Sequence, residues 1–420
     1  MIEGVNRLHR FLTALLTAVG LALPVTAAEV SLLCGGGVWP IEDCQMAAER
    51  WSAETGHAVR VVAAPADHNE HRERLREILV LDSDALDVVQ IDVIWAGIFA
   101  DHLLLLDAPG STAVHLPAAL ASARVGDRLV ALPFSADGGT LYYRTDLLAV
   151  AGLAVPETWE DLGSTALALT RSGAAEGLAG YIFQGAANEG LTSNVVEWLV
   201  SAGAAPLVDA SGRAGTDRPA AADLIDRIAS WIGLQTPHAT LLAKEDDVVD
   251  FYATGQVALM RNWLGAWPRL LEEAPEIAAV TGMAALPAGP GGRAATLGGW
   301  LIGVAANSRS PAAAVDLARY LTSEAEQRRR ARELGLPPTR LDLLADPELQ
   351  AARPELRAAA QILPHAVARP SAIAGSSYQL LSKEVAAEIH AVLRGEAPAG
   401  RALAAIDRRI ERLSGGGQRW

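Results

Sequence analysis

A chain of 420 residues, half of them hydrophobic and a fifth charged, has ample material for packed cores and a length suited to two or three domain-sized units. Its formal charge of −14 argues against non-specific binding to nucleic acid or anionic lipid. The scarcity of polar, highly charged tracts excludes large-scale disorder.

The N-terminus reads as an export leader. Arg7 and Arg10 precede the apolar run FLTALLTAVGLALPV, and Thr26-Ala27-Ala28 supplies small residues for cleavage after Ala27 or Ala28. The run is short for a membrane span, although an uncleaved anchor is the alternative. No cysteine directly follows it, so lipid attachment is not supported. Removing residues 1–28 takes away Arg7, Arg10 and Glu3, a net charge of +1, and leaves −15. The mature protein is therefore expected to be soluble and exported, and a monomer is expected.

The mature chain opens with VSLLCGG, a strand ending in glycines, then CQMAAERWSAETG at helical spacing with a glycine stop. VRVVAAP is a second strand, HRERLREILVLDS an amphipathic helix and LDVVQIDVIW a buried strand. This alternation predicts an α/β unit with a largely parallel sheet. Downstream, LVALPFSADGGTLYYRTDLL reads as a strand passing into a Gly-rich turn. Thr158 with Asp161 forms a weak capping box. YIFQGAANEGLTSNVVEWLVSAGA reads as strand, loop and helix, and GQVALM as a short strand. GMAALPAGPGGRAATLGGWLIGVAANS gives two strands around a Gly/Pro connector. SPAAAVDLARYLTSEAEQRRRARELG reads as one long helix, and the chain ends in helices broken at GEAPAG. The two cysteines, Cys34 and Cys44, allow either a disulfide or two buried thiols.

Enzyme signatures are missing. There is no G-x-S-x-G, H-E-x-x-H, Walker A or strand-linked G-x-G-x-x-G, and the histidines are scattered. No Cys/His spacing suits a metal. No catalytic residue, metal site or cofactor is therefore expected. Polar and aromatic residues instead recur at the ends of apolar strands, where open α/β sheets bind ligands. Glu42, Asp92 and Asp137 are carboxylates in such places. Glu189 and Asn194 lie in a loop and helix start, and Trp263 and Trp300 follow strands. Carboxylates accept paired hydroxyl hydrogen bonds, and indoles cover the C–H faces of a sugar. Arg369 could add donors from the C-terminal part.

The segments ALPFSADGGTLYYRTDLL, VPETWEDL, GYIFQGAANEGLTSNVVEWLVSAGA, GQVALMRNWLGAW, TLGGWLIGV and HAVARP run in an order that resembles the extracellular solute-binding proteins of ABC sugar importers, near the trehalose/maltose-binding branch. The resemblance spans nearly all of the mature chain. It implies an α/β, two-lobe periplasmic binding protein fold (type II, maltose-binding-protein-like) with the ligand cleft between lobes. Residues 29–136 plus 296–338 would form the N-lobe and 137–295 plus 339–420 the C-lobe. Crossovers are expected at Ser135–Thr140, Ala288–Ala295 and Pro337–Arg340. The resemblance places ligand contacts at Glu42, Asp92, Asp137, Trp263, Trp300 and Arg369, and at Asp67, His68 and Asn69 at the helix start after the first crossover; Glu189 is added to the expected contacts from its place in the loop and helix start. Trp263 would be the stacking platform, Trp267 core or cleft wall, and Arg261 structural. Two departures stand out. Ser135 replaces an aromatic, and Leu264-Gly265 replaces Pro-Tyr, so each removes expected cleft wall.

The implied function is periplasmic delivery of an α-glucoside disaccharide of the trehalose, maltose or sucrose type to a membrane permease. A polyol, glycerol conjugate or modified sugar is the runner-up. A secreted glycoside hydrolase using two of Glu42, Asp92 and Asp137 is the remote alternative.

Overall fold

The computed structural model describes residues 27–36, 40–81, 85–106, 114–172, 177–418 and 420. The export leader falls on residues 1–28, of which 1–26 lie outside the described residues. No helix among the described residues is long and apolar enough to cross a membrane.

The strands are β1 (Glu29–Cys34), β2 (Ala58–Ala63), β3 (Val88–Asp92), β4 (Arg124–Val125), β5 (Arg128–Leu129), β6 (Ala131–Arg144), β7 (Ala179–Ile182), β8 (Val257–Trp263), β9 (Thr281–Ala285), β10 (Ala295–Val304) and β11 (Ala366–Val367). Their main path runs β2-β1-β3-β10-β6-β8-β7, with β11 on β10, β9 on β6, and β4-β5 as a separate hairpin. β1 pairs in parallel with β2 and β3, as the early strand–helix alternation predicts. β10 runs antiparallel to both β3 and β6, and β6 runs antiparallel to β8 and β9.

Two long strands join the halves of the molecule. β6 starts in one hydrophobic core with Phe134 and Ala136, and continues beyond Asp137 to Leu141 in a second core. The turn expected at Gly138-Gly139 does not form, because the strand runs straight through both residues. The glycines answer a different need. A Cβ on Gly139 would lie 1.9 Å from Oε1 of Glu197, and one on Gly138 would press on Ile362 and Leu363. They are smooth patches for close packing within a continuous strand.

The first core holds β1, β3, β10 and the start of β6. It also takes in Leu344, Ala358, Ala359, Ile362, Leu363, Ala374 and Tyr378 from the C-terminal third. The second core gathers the helices Trp159–Arg171, Glu189–Ser201 and Pro219–Ala229 with the C-terminal pair Tyr378–Leu393 and Ala399–Ser414. A smaller cluster beside β8 buries Trp267 with Tyr142, Tyr252 and Met260.

Local rules explain several boundaries. The Thr158 side chain accepts from the Asp161 backbone at 3.1 Å and Asp161 returns the bond at 3.0 Å, so the capping box forms. The expected long helix after Pro311 is instead two, Pro311–Leu321 and Glu324–Leu334. Ser323 adopts an extended backbone and its side chain accepts from Glu326 N, starting a new helix where the sequence pattern showed only continuous periodicity. Cys34 and Cys44 form a disulfide with Cα atoms 6.1 Å apart, tying the end of β1 to the helix Ile41–Thr55.

Candidate ligand-binding cleft

A cleft of about 800 Å³ opens where the ends of β3 and β8 meet the middle of β6 and β10. Asp92, Asp137, Trp263 and Trp300 come to it from those four strands. The helix starts at His68 and Glu189 and the C-terminal helix at Tyr378 supply its walls.

Asp92 ends β3, with Oδ1 accepting from Ile94 N at 2.9 Å. Its Oδ2 lies 3.0 Å from Nε2 of His68. Burial opposes the charge on Asp92, but the His68 hydrogen bond and charge outweigh it and hold the carboxyl below its usual range. The converse holds for His68. Desolvation opposes its charging, yet Asp92 raises its pKa above the usual value.

Asp137 sits where β6 faces the cleft. Gly138 N donates to Oδ1 at 2.7 Å and Gly265 N to Oδ2 at 3.3 Å. No cationic side chain bonds to it among the described residues. Burial therefore dominates these backbone donors and pushes its pKa up to about 6.

Trp263 closes β8 on a buried foundation. Fully buried Arg261 is gripped by Glu197, through Nε at 3.0 Å to Oε2 and through Nη2 to Oε1, while Nη1 donates to Gln184 at 3.0 Å. Glu197 also accepts from Thr296 N at 3.0 Å. The guanidinium lies 4.4 Å from the Trp263 ring centroid, a cation–π contact that fixes the indole. Gly298 is the counter-surface. A Cβ there would stand 3.1 Å from Cζ3 of Trp263 and 3.2 Å from Cβ of Asp137. Arg261 is thus structural, as its sequence position suggested, and Trp267 is core.

Trp300 has its own support. The ring of His71 stacks on it at 5.6 Å, and Trp95 meets it edge-on at 6.2 Å. Burial lowers the His71 pKa to about 4, so this ring is neutral at physiological pH.

Arg369 is 6% exposed and donates through Nη1 to Oε1 of Glu189 at 2.7 Å and through Nη2 to the Leu297 carbonyl at 3.1 Å. Glu189 accepts two further bonds: Tyr378 OH donates to Oε1 at 2.5 Å and Ser382 Oγ donates to Oε2. Its carboxylate organises Arg369, and Oε2 keeps an acceptor position toward the cleft that Glu189 lines.

Asn69 lines the cleft beside Asp67, whose Oδ1 is used to cap the helix His68–Leu79. Asn194 is buried below, donating to the Gln184 and Gly190 carbonyls. Glu42 is not brought to the cleft. It is exposed in the first turn of the helix Ile41–Thr55, while its neighbour Asp43 turns inward to Arg329. The helix phase sends Glu42 to solvent, which a reading by sequence order did not resolve. At the Leu264-Gly265 departure the wall is built differently from expectation. Leu264 packs into the first core and opens no space, whereas Gly265 brings its N–H to Asp137.

The model of the bacterial extracellular solute-binding proteins matches residues 44–328, well over half of the chain. The chain belongs to that family. This solute-binding protein is 34% identical over 410 residues to a probable ABC transporter-binding protein of Deinococcus radiodurans, covering 96% of this chain and 98% of the relative. A mannitol-binding protein of Pseudomonas aeruginosa is 25% identical, covering 82% and 84%. Among solved structures, maltose-bound MalE3 of T. maritima superposes with a TM-score of 0.79 at 31% identity, over 92% of this chain and all of that one. The GacH receptor of Streptomyces glaucescens, solved unliganded and with acarbose, gives 0.79 at 24%, over 94% and 100%. The fold is accordingly the two-lobe, MalE-like one.

Several residues of this solute-binding protein that shape the cleft were not read from sequence. His71 and Trp95 brace Trp300, and Glu197 and Gln184 hold Arg261. Only Trp95 carried a signal, three residues after Asp92 in the VVQIDVIW run. Among the described residues no group of three or more His, Cys, Asp or Glu side chains is placed to hold a metal ion.

Proposed function

We propose that this chain is the periplasmic substrate-binding component of an ABC importer and that it takes an α-glucoside disaccharide of the trehalose, maltose or sucrose type. The observation that carries the reading is the cleft itself, in which two braced indoles face two carboxylates. Asp92 and Asp137 accept hydroxyl hydrogen bonds, Trp263 and Trp300 cover C–H faces, and Arg369 adds a fixed cation. A site built of such groups disfavours ligands without hydroxyls, because its buried polar atoms would lose their partners. In this reading the protein carries its ligand without chemical change, and a cleaved leader within residues 1–28 sends it across the inner membrane.

The lobe bounds read from sequence are proposed with one amendment. Leu344 to Tyr378 contribute to the first core, so the segment 341–378 travels with the first lobe. Closure then brings the helix His68–Leu79 against the helix Tyr378–Leu393. Arg72 Nη1 already donates to Gln379 Oε1 at 2.9 Å across the cleft mouth. Ligand that touches both lobes shifts the population to the closed form, which is the form a permease recognises.

The mannitol-binding relative favours a second reading, a linear polyol in the same cleft. A thermal-shift panel of disaccharides and polyols separates the two. A ligand at a hundred times its Kd stabilises by about 2.7 kcal/mol. A shift with an α-glucoside and none with mannitol supports the first reading, and the reverse pattern replaces it. The hydrolase alternative rests on Asp92 and Asp137 alone once Glu42 is set aside, and no turnover of nitrophenyl glucosides is expected.

A further inference from the structure

The chain contains only two lysines, Lys244 and Lys383, and the other 33 of its 35 basic residues are arginines. Both lysines fall among the 24 residues that line the cleft. They reach it from separate elements. Lys244 immediately precedes the helix Glu245–Ala253, and Lys383 lies in the helix Tyr378–Leu393.

The two flank one wall. Ser382 bonds to Glu189, which places the Lys383 turn against the start of the helix Glu189–Ser201. A Cβ on Gly190 would lie 2.6 Å from Oε1 of Glu245, which places the Lys244 turn against the same start. Both lysines are exposed, and neither has an ion-pair or side-chain hydrogen-bond partner among the described residues. The nearby acids are committed elsewhere in part. Glu189 already accepts from Arg369, Tyr378 and Ser382, and Asp246 pairs with Arg269.

An arginine presents a rigid planar fork suited to carboxylates, and in this protein arginines are used repeatedly in that way. A lysine presents a compact cation with three rotatable donors and no acceptor. A chain that uses lysine only here has placed adaptable donors on a wall where Arg369 is already paired with Glu189. The strand-borne set, Asp92, Asp137, Trp263 and Trp300, offers acceptors and apolar faces at the floor. The lysine wall offers the complementary donors.

Resting on the sugar-binding reading above, we propose that Lys244 and Lys383 form a second, donor-rich subsite for the ring of the glycoside that lies beyond the strand-borne floor. Their ammonium groups donate to its hydroxyl and ring oxygens and select ligands longer than a monosaccharide.

The test uses the full mature protein with Lys244→Met, Lys383→Met and the double variant. Calorimetric titrations with glucose, the disaccharide that binds best and its trisaccharide homologue give the affinities. Each single substitution is expected to weaken di- and trisaccharide binding about tenfold and to leave the monosaccharide within twofold. The unliganded melting temperature should not move, since both side chains are exposed. Because no other lysine exists, acylation of the wild type with an amine-selective reagent followed by mass spectrometry reads the same wall. Saturating disaccharide should protect both lysines. Unchanged affinities in the double variant, or equal labelling with and without ligand, overturn the subsite while leaving the function standing. Failure of every sugar to bind the wild type overturns both.

Discussion

Replacing Asp137 by Asn separates binding from stability. The carboxyl has its pKa pushed from 3.8 up to about 6 by burial, so ionising it at neutral pH costs the ligand-free fold free energy. Two pKa units correspond to about 3 kcal/mol, and the partial solvent access of this side chain reduces that to about 1–2 kcal/mol. The sign follows from proton counts. Between 3.8 and about 6 the native state holds more proton than the unfolded chain, so stability falls as pH rises through that window and stays lowered above it. Asparagine does not ionise. Asp137→Asn should therefore be more stable than wild type by about 1–2 kcal/mol at pH 8, with the gap closing on acidification through about 6 and vanishing near pH 4. Sugar binding should move the other way. Charge-assisted hydrogen bonds contribute roughly 1.5–3 kcal/mol, so the variant should bind its ligand roughly ten- to a hundredfold more weakly at neutral pH. Wild-type affinity should fall on acidification through about 6, while the variant's stays flat. Urea titrations at pH 4, 6 and 8 with calorimetric binding at the same values check all of this. A variant less stable than wild type at pH 8, or one with unaltered affinity, would refute the reasoning.

Other substitutions probe the remaining supports. Trp263→Ala should weaken binding by at least tenfold, and a tryptophan-fluorescence titration showing full affinity would remove the stacking role. Gly298→Ala should push Trp263 and Asp137 apart, because the new methyl sits 3.1 and 3.2 Å from them; affinity should drop with a melting temperature close to wild type. Glu197→Gln leaves buried Arg261 without its counter-charge, which typically costs about 3–5 kcal/mol, so a large loss of urea resistance is expected. Arg72→Ala removes the Gln379 bond across the cleft mouth; small-angle scattering should show a wider unliganded form and titration a modest loss of affinity.

Much of the fold was legible because it follows from local periodicity. The β1 to β3 alternation, the capping box at Thr158 and the C-terminal helices broken near GEAPAG all follow short-range rules. Misreadings arose where a residue answered to a distant neighbour. Gly138-Gly139 resembles a turn, yet serves the approach of Ile362 and Glu197, which lie far along the chain. The helix break at Ser323 depends on one cap, which periodicity does not record. In the cleft, strand-end residues such as Asp92 and Trp263 were visible because strand ends are predictable places. Glu42 was misplaced because its direction depends on helix phase, and Leu264 because its side chain finds the first core. The supporting shell of His71, Glu197 and Gln184 was invisible in sequence, since each acts only through a partner brought near by folding.

The central claim is tested most directly by titrating the purified mature protein with trehalose, maltose, sucrose and mannitol and following tryptophan fluorescence. The account predicts saturable one-site binding of at least one of the three disaccharides, lost in Trp263→Ala. Tight binding of mannitol with none of the disaccharides, or no response to any of the four, would contradict it.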